Sequence, residues 1–152
     1  MPTITATPQL QVGAPAPGFD LSDEQGHRHR LSEYRGQTLI LCFLPHDTGP
    51  AGRNPREHYP GSTLDNCFML GVMIATPQTA GEFHRRNQAP FPIAADTNAA
   101  VSRAYGMMEL MAREHHPGYV AIGPDGMVKV VLKHRSSPNH VYELLKRAER
   151  KS

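Results

Sequence analysis

The period of the hydrophobic pattern changes several times along this chain, and each change marks an element. Thr38-Leu39-Ile40-Leu41-Cys42-Phe43-Leu44 is an unbroken apolar run stopped by Pro45. A run of this length without alternation predicts a strand covered on both faces. Residues 67–75, from Cys67 to Ala75, form a second such run and predict a second buried strand. Upstream, Phe19-Asp20-Leu21 and His29-Arg30-Leu31 flank Ser22-Asp23-Glu24-Gln25-Gly26. That arrangement predicts a small hairpin around a tight turn.

Downstream, Thr76 caps a predicted helix with Pro77 in its first turn, running to about Asn87. Phe91-Pro92-Ile93-Ala94 reads as a short extended piece. Asp96 then caps a helix through Ala99, Ala100, Ser102 and Arg103 that stops at Gly106, a residue suited to the left-handed terminating position. Residues 119–122 and 127–132 are predicted strands joined by Gly123-Pro124-Asp125-Gly126. Ser137 caps a last helix with Pro138 in its first turn, and Val141, Leu144, Leu145 and Ala148 fall at i, i+3, i+4 and i+7. Strand, broken helix, strand, helix, helix, hairpin and helix together describe an α/β fold. Its mixed central sheet carries helices on both sides, with the final hairpin as an antiparallel edge.

Composition narrows the class. At 152 residues with no internal repeat, the chain has the size of one domain. Residues 1–10 read as an extended Thr- and Pro-rich arm, 11–148 as the domain and 149–152 as a tail. Thirteen glycines and 14 prolines imply many turns in a folded chain that is 39% hydrophobic. The formal charge of +2 comes from scattered basic residues, so neither a nucleic-acid footprint nor a membrane patch is visible. The apolar runs are far shorter than the ~20 residues of a spanning helix. Residues 1–12 lack the basic and apolar regions of a secretion signal. A cytoplasmic protein is expected. With only Cys42 and Cys67 present, a disulfide framework and a cysteine-rich zinc site are excluded.

The wording of several segments resembles one family. Val12-Gly13-Ala14-Pro15-Ala16-Pro17-Gly18-Phe19-Asp20-Leu21 and Leu31-Ser32-Glu33-Tyr34-Arg35-Gly36 are similar to the opening motifs of peroxiredoxins, the alkyl hydroperoxide reductase/thiol-specific antioxidant family. Pro90-Phe91-Pro92 with Asp96, then Ala104-Tyr105-Gly106, then Ile122 with Asp125-Gly126, continue the likeness in order. The resemblance implies a thioredoxin-like, peroxiredoxin-type fold over about Leu10 to Ala148. Fold alone does not establish activity.

In that family the first long strand runs into a loop holding Pro, then Thr, then two residues and a cysteine at a helix start. Backbone N–H groups, the positive helix end and a nearby Arg stabilise the thiolate there. Here the loop reads Pro45-His46-Asp47-Thr48-Gly49-Pro50-Ala51-Gly52-Arg53. Thr48 matches, and the place due the peroxidatic cysteine falls on Ala51. Against the thioredoxin motif Cys-Gly-Pro-Cys, the chain has Thr48-Gly49-Pro50-Ala51, with both sulfurs missing. Where peroxiredoxins carry the activating Arg, this chain has Pro117, which resembles the cis-proline of thioredoxin-type oxidoreductases.

The resemblance therefore implies a redoxin-domain protein without peroxidase activity, acting by binding or assembly as a homodimer or with an active relative. No cofactor is expected. One alternative is a thiol peroxidase or thiol-disulfide oxidoreductase using Cys42 or Cys67, although both lie in apolar strand runs where burial disfavours the thiolate. A second is metal binding by Met111, His115 and His116, with Met107 and Met108 nearby, since thioether and imidazole suit copper. No i, i+4 histidine pair lies on a predicted helix, so exposed His and packed Met remain the simpler reading. Arg53, Arg56 and His58 are candidates for an anion site, against the plainer reading of a solvated basic loop.

Overall fold

A computed structural model describes residues 10–44, 67–87, 91–108, 118–133, 141 and 143–147. Its sheet has seven strands in the order β2-β1-β5-β4-β3-β6-β7. The strands are β1 (Asp20–Ser22), β2 (Arg28–Arg30), β3 (Thr38–Leu44), β4 (Cys67–Met73), β5 (Ile93–Ala95), β6 (Gly118–Ile122) and β7 (Val128–Leu132). β3, β4 and β5 run parallel, while β6 and β7 complete the far edge antiparallel. The mixed sheet expected from the pattern is present. The N-terminal hairpin also joins it, through Ser22 opposite Ala95, a pairing that the local sequence does not announce.

The absence of alternation in β3 has the predicted cause: both of its faces are covered. Leu39, Leu41 and Phe43 enter one apolar layer with Phe19, Leu21, Val101, Tyr105 and Met107. Ile40, Cys42 and Leu44 enter a second with Ala80, Tyr119, Val141 and Leu145. β4 is less uniform than expected, because its first three residues are not fully buried and Phe68 is 46% exposed. The strand ends at Met73, two residues earlier than the apolar run.

α1 (Pro77–Asn87) starts as predicted, with the Thr79 N–H donating to the Thr76 hydroxyl. α2 (Ala100–Ala104) is shorter than the expected helix. Ala99 lies outside it at φ 62°, and the Asp96 side chain reaches across to accept from Val101 and Ser102 N–H at 3.2 and 2.7 Å. Gly106 does terminate it at φ 70°. Its N–H donates to Arg103 and that of Met107 to Ser102, the paired bonds by which a left-handed glycine closes a helix. Of the last helix, residues 141 and 143–147 are described and helical, with Val141 and Leu145 in the core; Ser137, Pro138 and Ala148 lie outside the described residues.

The hairpin turn is held by Asp23. One carboxylate oxygen accepts from Gln25 and His27 N–H at 2.9 and 3.0 Å, and the other accepts from His29 at 2.9 Å. Partial burial works to raise this carboxyl, but the bonds from His29, His27 and Gln25 outweigh it and hold it below the ordinary aspartate range. A carboxyl lowered in the folded state contributes stability that is complete above its unfolded value and lost as pH falls through its folded one. Asp23→Asn should therefore flatten the acid limb of the stability profile in that window, measured by urea unfolding. An unchanged acid limb would contradict the assignment.

Candidate functional site

In open α/β sheets, ligands meet the carboxyl ends of parallel strands where the strand order reverses. Here β4 and β5 lie on one side of β3, whereas β6 lies on the other. The reversal thus falls between β3 and β6. Leu44, at the end of β3, is level with Met73 at the end of β4, and Met73 with Ala95 at the end of β5. Across the switch, Phe43 pairs with Gly118, the first residue of β6. The chain therefore leaves for residues 45–66 and returns from residues 109–117 at neighbouring points of one sheet end. Pro45, Thr48, Ala51, Arg53, Arg56, His58, Met111, His115, His116 and Pro117 lie in those two segments, outside the described residues. The isomer of the His116–Pro117 bond lies there too.

Both cysteines are described, and neither is disulfide-bonded. Cys42 sits two residues before the end of β3, opposite Gly71 on one side and Tyr119 on the other. It has no exposed surface. The Tyr119 phenol is hydrogen-bonded to it, and burial followed by this neighbour raises the phenol above the usual tyrosine range. Cys67 opens β4, as the apolar run did, but it corrects the expected burial, because it is partly exposed.

The register settles whether the two sulfurs can meet. Cys42 pairs with Gly71, four residues beyond Cys67, and four strand residues span about 13 Å. A disulfide requires Cα atoms within ~7 Å. Both cysteines contribute to the same layer of the core, yet they cannot pair without moving a strand. Cys67 thus lies at the sheet end opposite the switch point, and Cys42 lies near that point but inside the core. In a thiol titration of the native protein, Cys67 should react while Cys42 stays silent until denaturant is added, because exposing it requires opening a central strand. Two rapidly reacting thiols in native buffer would refute this placement.

Other candidates fall as follows. Met107, considered among soft ligands, is fully buried in the layer formed by Phe43 and Tyr105 and packs as an apolar side chain. Among the described residues no group of three metal-ligating side chains gathers. A cleft of about 260 Å³ is lined by Gly18, Phe19, Asp20, Arg30, Leu31, Ser32 and Arg35, and neither sulfur borders it. Its Asp20 is already bound by Arg28 at 2.6 Å and Arg30 at 3.3 Å. Among the described residues no helix is long and apolar enough to cross a membrane.

Comparison with known proteins agrees with this frame. The chain is 33% identical over 133 residues to the thiol-disulfide oxidoreductase ResA of Geobacillus kaustophilus, covering 85% of this chain and 73% of that protein. It is 23% identical over 105 residues to peroxiredoxin Bcp of Bacillus subtilis, covering 66% and 67%. Among solved structures, a PrxQ mutant of Xylella fastidiosa superposes with a TM-score of 0.76 at 18% identity, over 95% of this chain and 98% of that one. A peroxiredoxin-like protein from Aquifex aeolicus gives 0.74 at 15% identity, over 93% and 89%. The fold is thioredoxin-like, and the domain is a redoxin domain of the peroxiredoxin and thiol-disulfide oxidoreductase kind. Residues 12–131 match the AhpC/TSA family model, and the chain belongs to the AhpC/TSA family.

Proposed function

We propose that this redoxin domain has no peroxidase activity and acts by binding or assembly. The placement of its two thiols carries the reading. Residues 43–66 contain no cysteine, Cys42 is sealed in the core, and Cys67 begins the far end of β4. A thiol nucleophile needs both a stabilised thiolate and access to its substrate. Neither sulfur combines these at the switch point. On this reading Ala51 stands where the attacking cysteine would be, and Pro117 where the activating arginine would be. A second copy of this chain, or an active relative, is the partner that the reading favours, and the cytoplasm is its compartment.

Hydrogen peroxide and an alkyl hydroperoxide, each with dithiothreitol or thioredoxin as reductant, provide the test. Consumption should match the protein-free blank. Rapid turnover abolished by Cys42→Ser or Cys67→Ser would defeat the proposal. Ala51→Cys checks the alignment separately: its thiol should titrate below the free value of about 8.5 where the family alignment puts a helix start. An ordinary thiol at that place would mean that the loop is wrongly aligned. Full peroxidase activity is not expected of this variant, since Pro117 supplies no cation.

A second reading rests on the partial exposure of Cys67 and the 33% identity to thiol-disulfide oxidoreductases. It makes the chain an oxidoreductase exchanging disulfides through Cys67. Insulin reduction that depends on Cys67 alone would select it.

A further inference from the structure

Three tyrosines are described, and their hydroxyl groups meet three different partners. Tyr105 donates to the Pro17 carbonyl, and Tyr119 is hydrogen-bonded to the Cys42 sulfur. Neither partner is an imidazole or carboxylate that could keep a proton. Tyr34 differs, since its hydroxyl lies 3.3 Å from Nδ1 of His29. His29 Nε2 lies 2.9 Å from the Asp23 carboxylate, and the two side chains are each only 13% exposed. A carboxylate only accepts, so Nε2 carries the ring hydrogen. In the neutral ring Nδ1 is then the acceptor, and the Tyr34 O–H donates to it.

Tyr34 is only partly buried, and its ring stands edge-on to Phe68 with centroids 6.1 Å apart. Phe68 is itself 46% exposed. Phe68 is the second residue of β4, five residues from Met73, so this array lies about 17 Å from the switch point. It takes no part in the site described above.

An oxidised phenol is a very strong acid, so the loss of an electron is easiest where a base already holds its hydrogen. We propose that Tyr34, with His29 as its proton acceptor, is the site at which this protein yields an electron to a high-potential one-electron oxidant. In the step, the oxidant gains one electron from the phenol. The Tyr34 O–H bond breaks, and the proton forms an N–H bond at His29 Nδ1. A neutral tyrosyl radical and an imidazolium result, the imidazolium charge being balanced by Asp23. Resting Tyr34 is an un-ionised phenol, because burial and then the Glu33 charge raise it above the usual tyrosine range. Nucleophilic use of its oxygen is correspondingly disfavoured.

Photogenerated ruthenium(III) tris-bipyridine is a suitable oxidant, with the radical followed by electron paramagnetic resonance in mildly alkaline buffer. Tyr34→Phe should remove most of the early tyrosyl signal. His29→Gln should slow its formation about tenfold, equivalent to about 1.4 kcal/mol of barrier. Asp23→Asn should slow it less, and it serves as the test variant if His29→Gln does not fold. Circular dichroism matching the wild type shows that an effect is not structural. A full signal in Tyr34→Phe, or a wild-type rate in a folded His29→Gln or Asp23→Asn protein, overturns the proposal.

Discussion

Phe43→Ala should lower the unfolding free energy by about 3–5 kcal/mol, the range for truncating a buried aromatic side chain. Phe43 has no exposed surface and lies on β3, an interior strand of the sheet with a neighbour on each side. Its ring packs against that of Tyr105 with centroids 5.5 Å apart, so the variant loses an aromatic pair as well as apolar contact. Neighbours on a paired strand cannot collapse freely into the gap. A domain of this size has about 5–15 kcal/mol of net stability, so the loss takes a large share. Chemical denaturation should show a lower midpoint with little change in slope. A loss below about 1.5 kcal/mol would place Phe43 in a site that tolerates repacking.

Asp96→Ala should cost about 3 kcal/mol, because two buried donors lose their acceptor at about 1–3 kcal/mol each. Asp96 is fully buried, and its carboxylate receives Val101 and Ser102 N–H. Those groups sit in the first turn of α2, where no earlier residue of the helix can serve them. Ala99, just before the helix, has no side-chain acceptor, and its left-handed backbone lets the chain turn between Asp96 and α2. Asp96→Asn retains one acceptor oxygen and should lose less. The main chain of Asp96 also bonds to Met73 at 2.7 Å, so hydrogen exchange at the start of α2 should accelerate in the alanine variant while β3 keeps its protection. Equal stability of wild type and Asp96→Ala would mean that other groups cap this turn.

These two residues also show why the sequence could be read so far and no farther. The run around Phe43 identified a buried central strand, since such a run has no polar face to offer solvent. Asp96 was legible as a cap, yet the helix begins three residues later than a simple cap position implies. A carboxylate can satisfy donors five and six residues ahead when a residue such as Ala99 bends the chain back. Composition and propensity do not encode that bend. Thr76 with Pro77 needed no such help and marked α1 correctly, because its bond spans three residues.

The thiols divide in the same way. Their number and their absence from residues 43–66 are properties of the chain alone, and so is the run of motifs that resembles the AhpC/TSA family. The partial exposure of Cys67 was not legible, because an apolar run reads the same whether other elements cover its first residues or leave them open to solvent. The Asp23, His29 and Tyr34 array went unread for a related reason: no motif marks three polar residues that converge when a hairpin turn folds onto the helical turn after it.

The amino-acid order by itself determined the strand runs, the cap of α1, the glycine that ends α2 and the family. Each of these rests on interactions within a few residues or on matched wording. Only the tertiary structure decided the register that places Cys42 opposite Gly71 and Tyr119, the joining of the N-terminal hairpin to β5, and the contact of Tyr34 with His29. Register is chosen by burying side chains that are distant along the chain, and a shift of one residue would turn a whole strand to the other face.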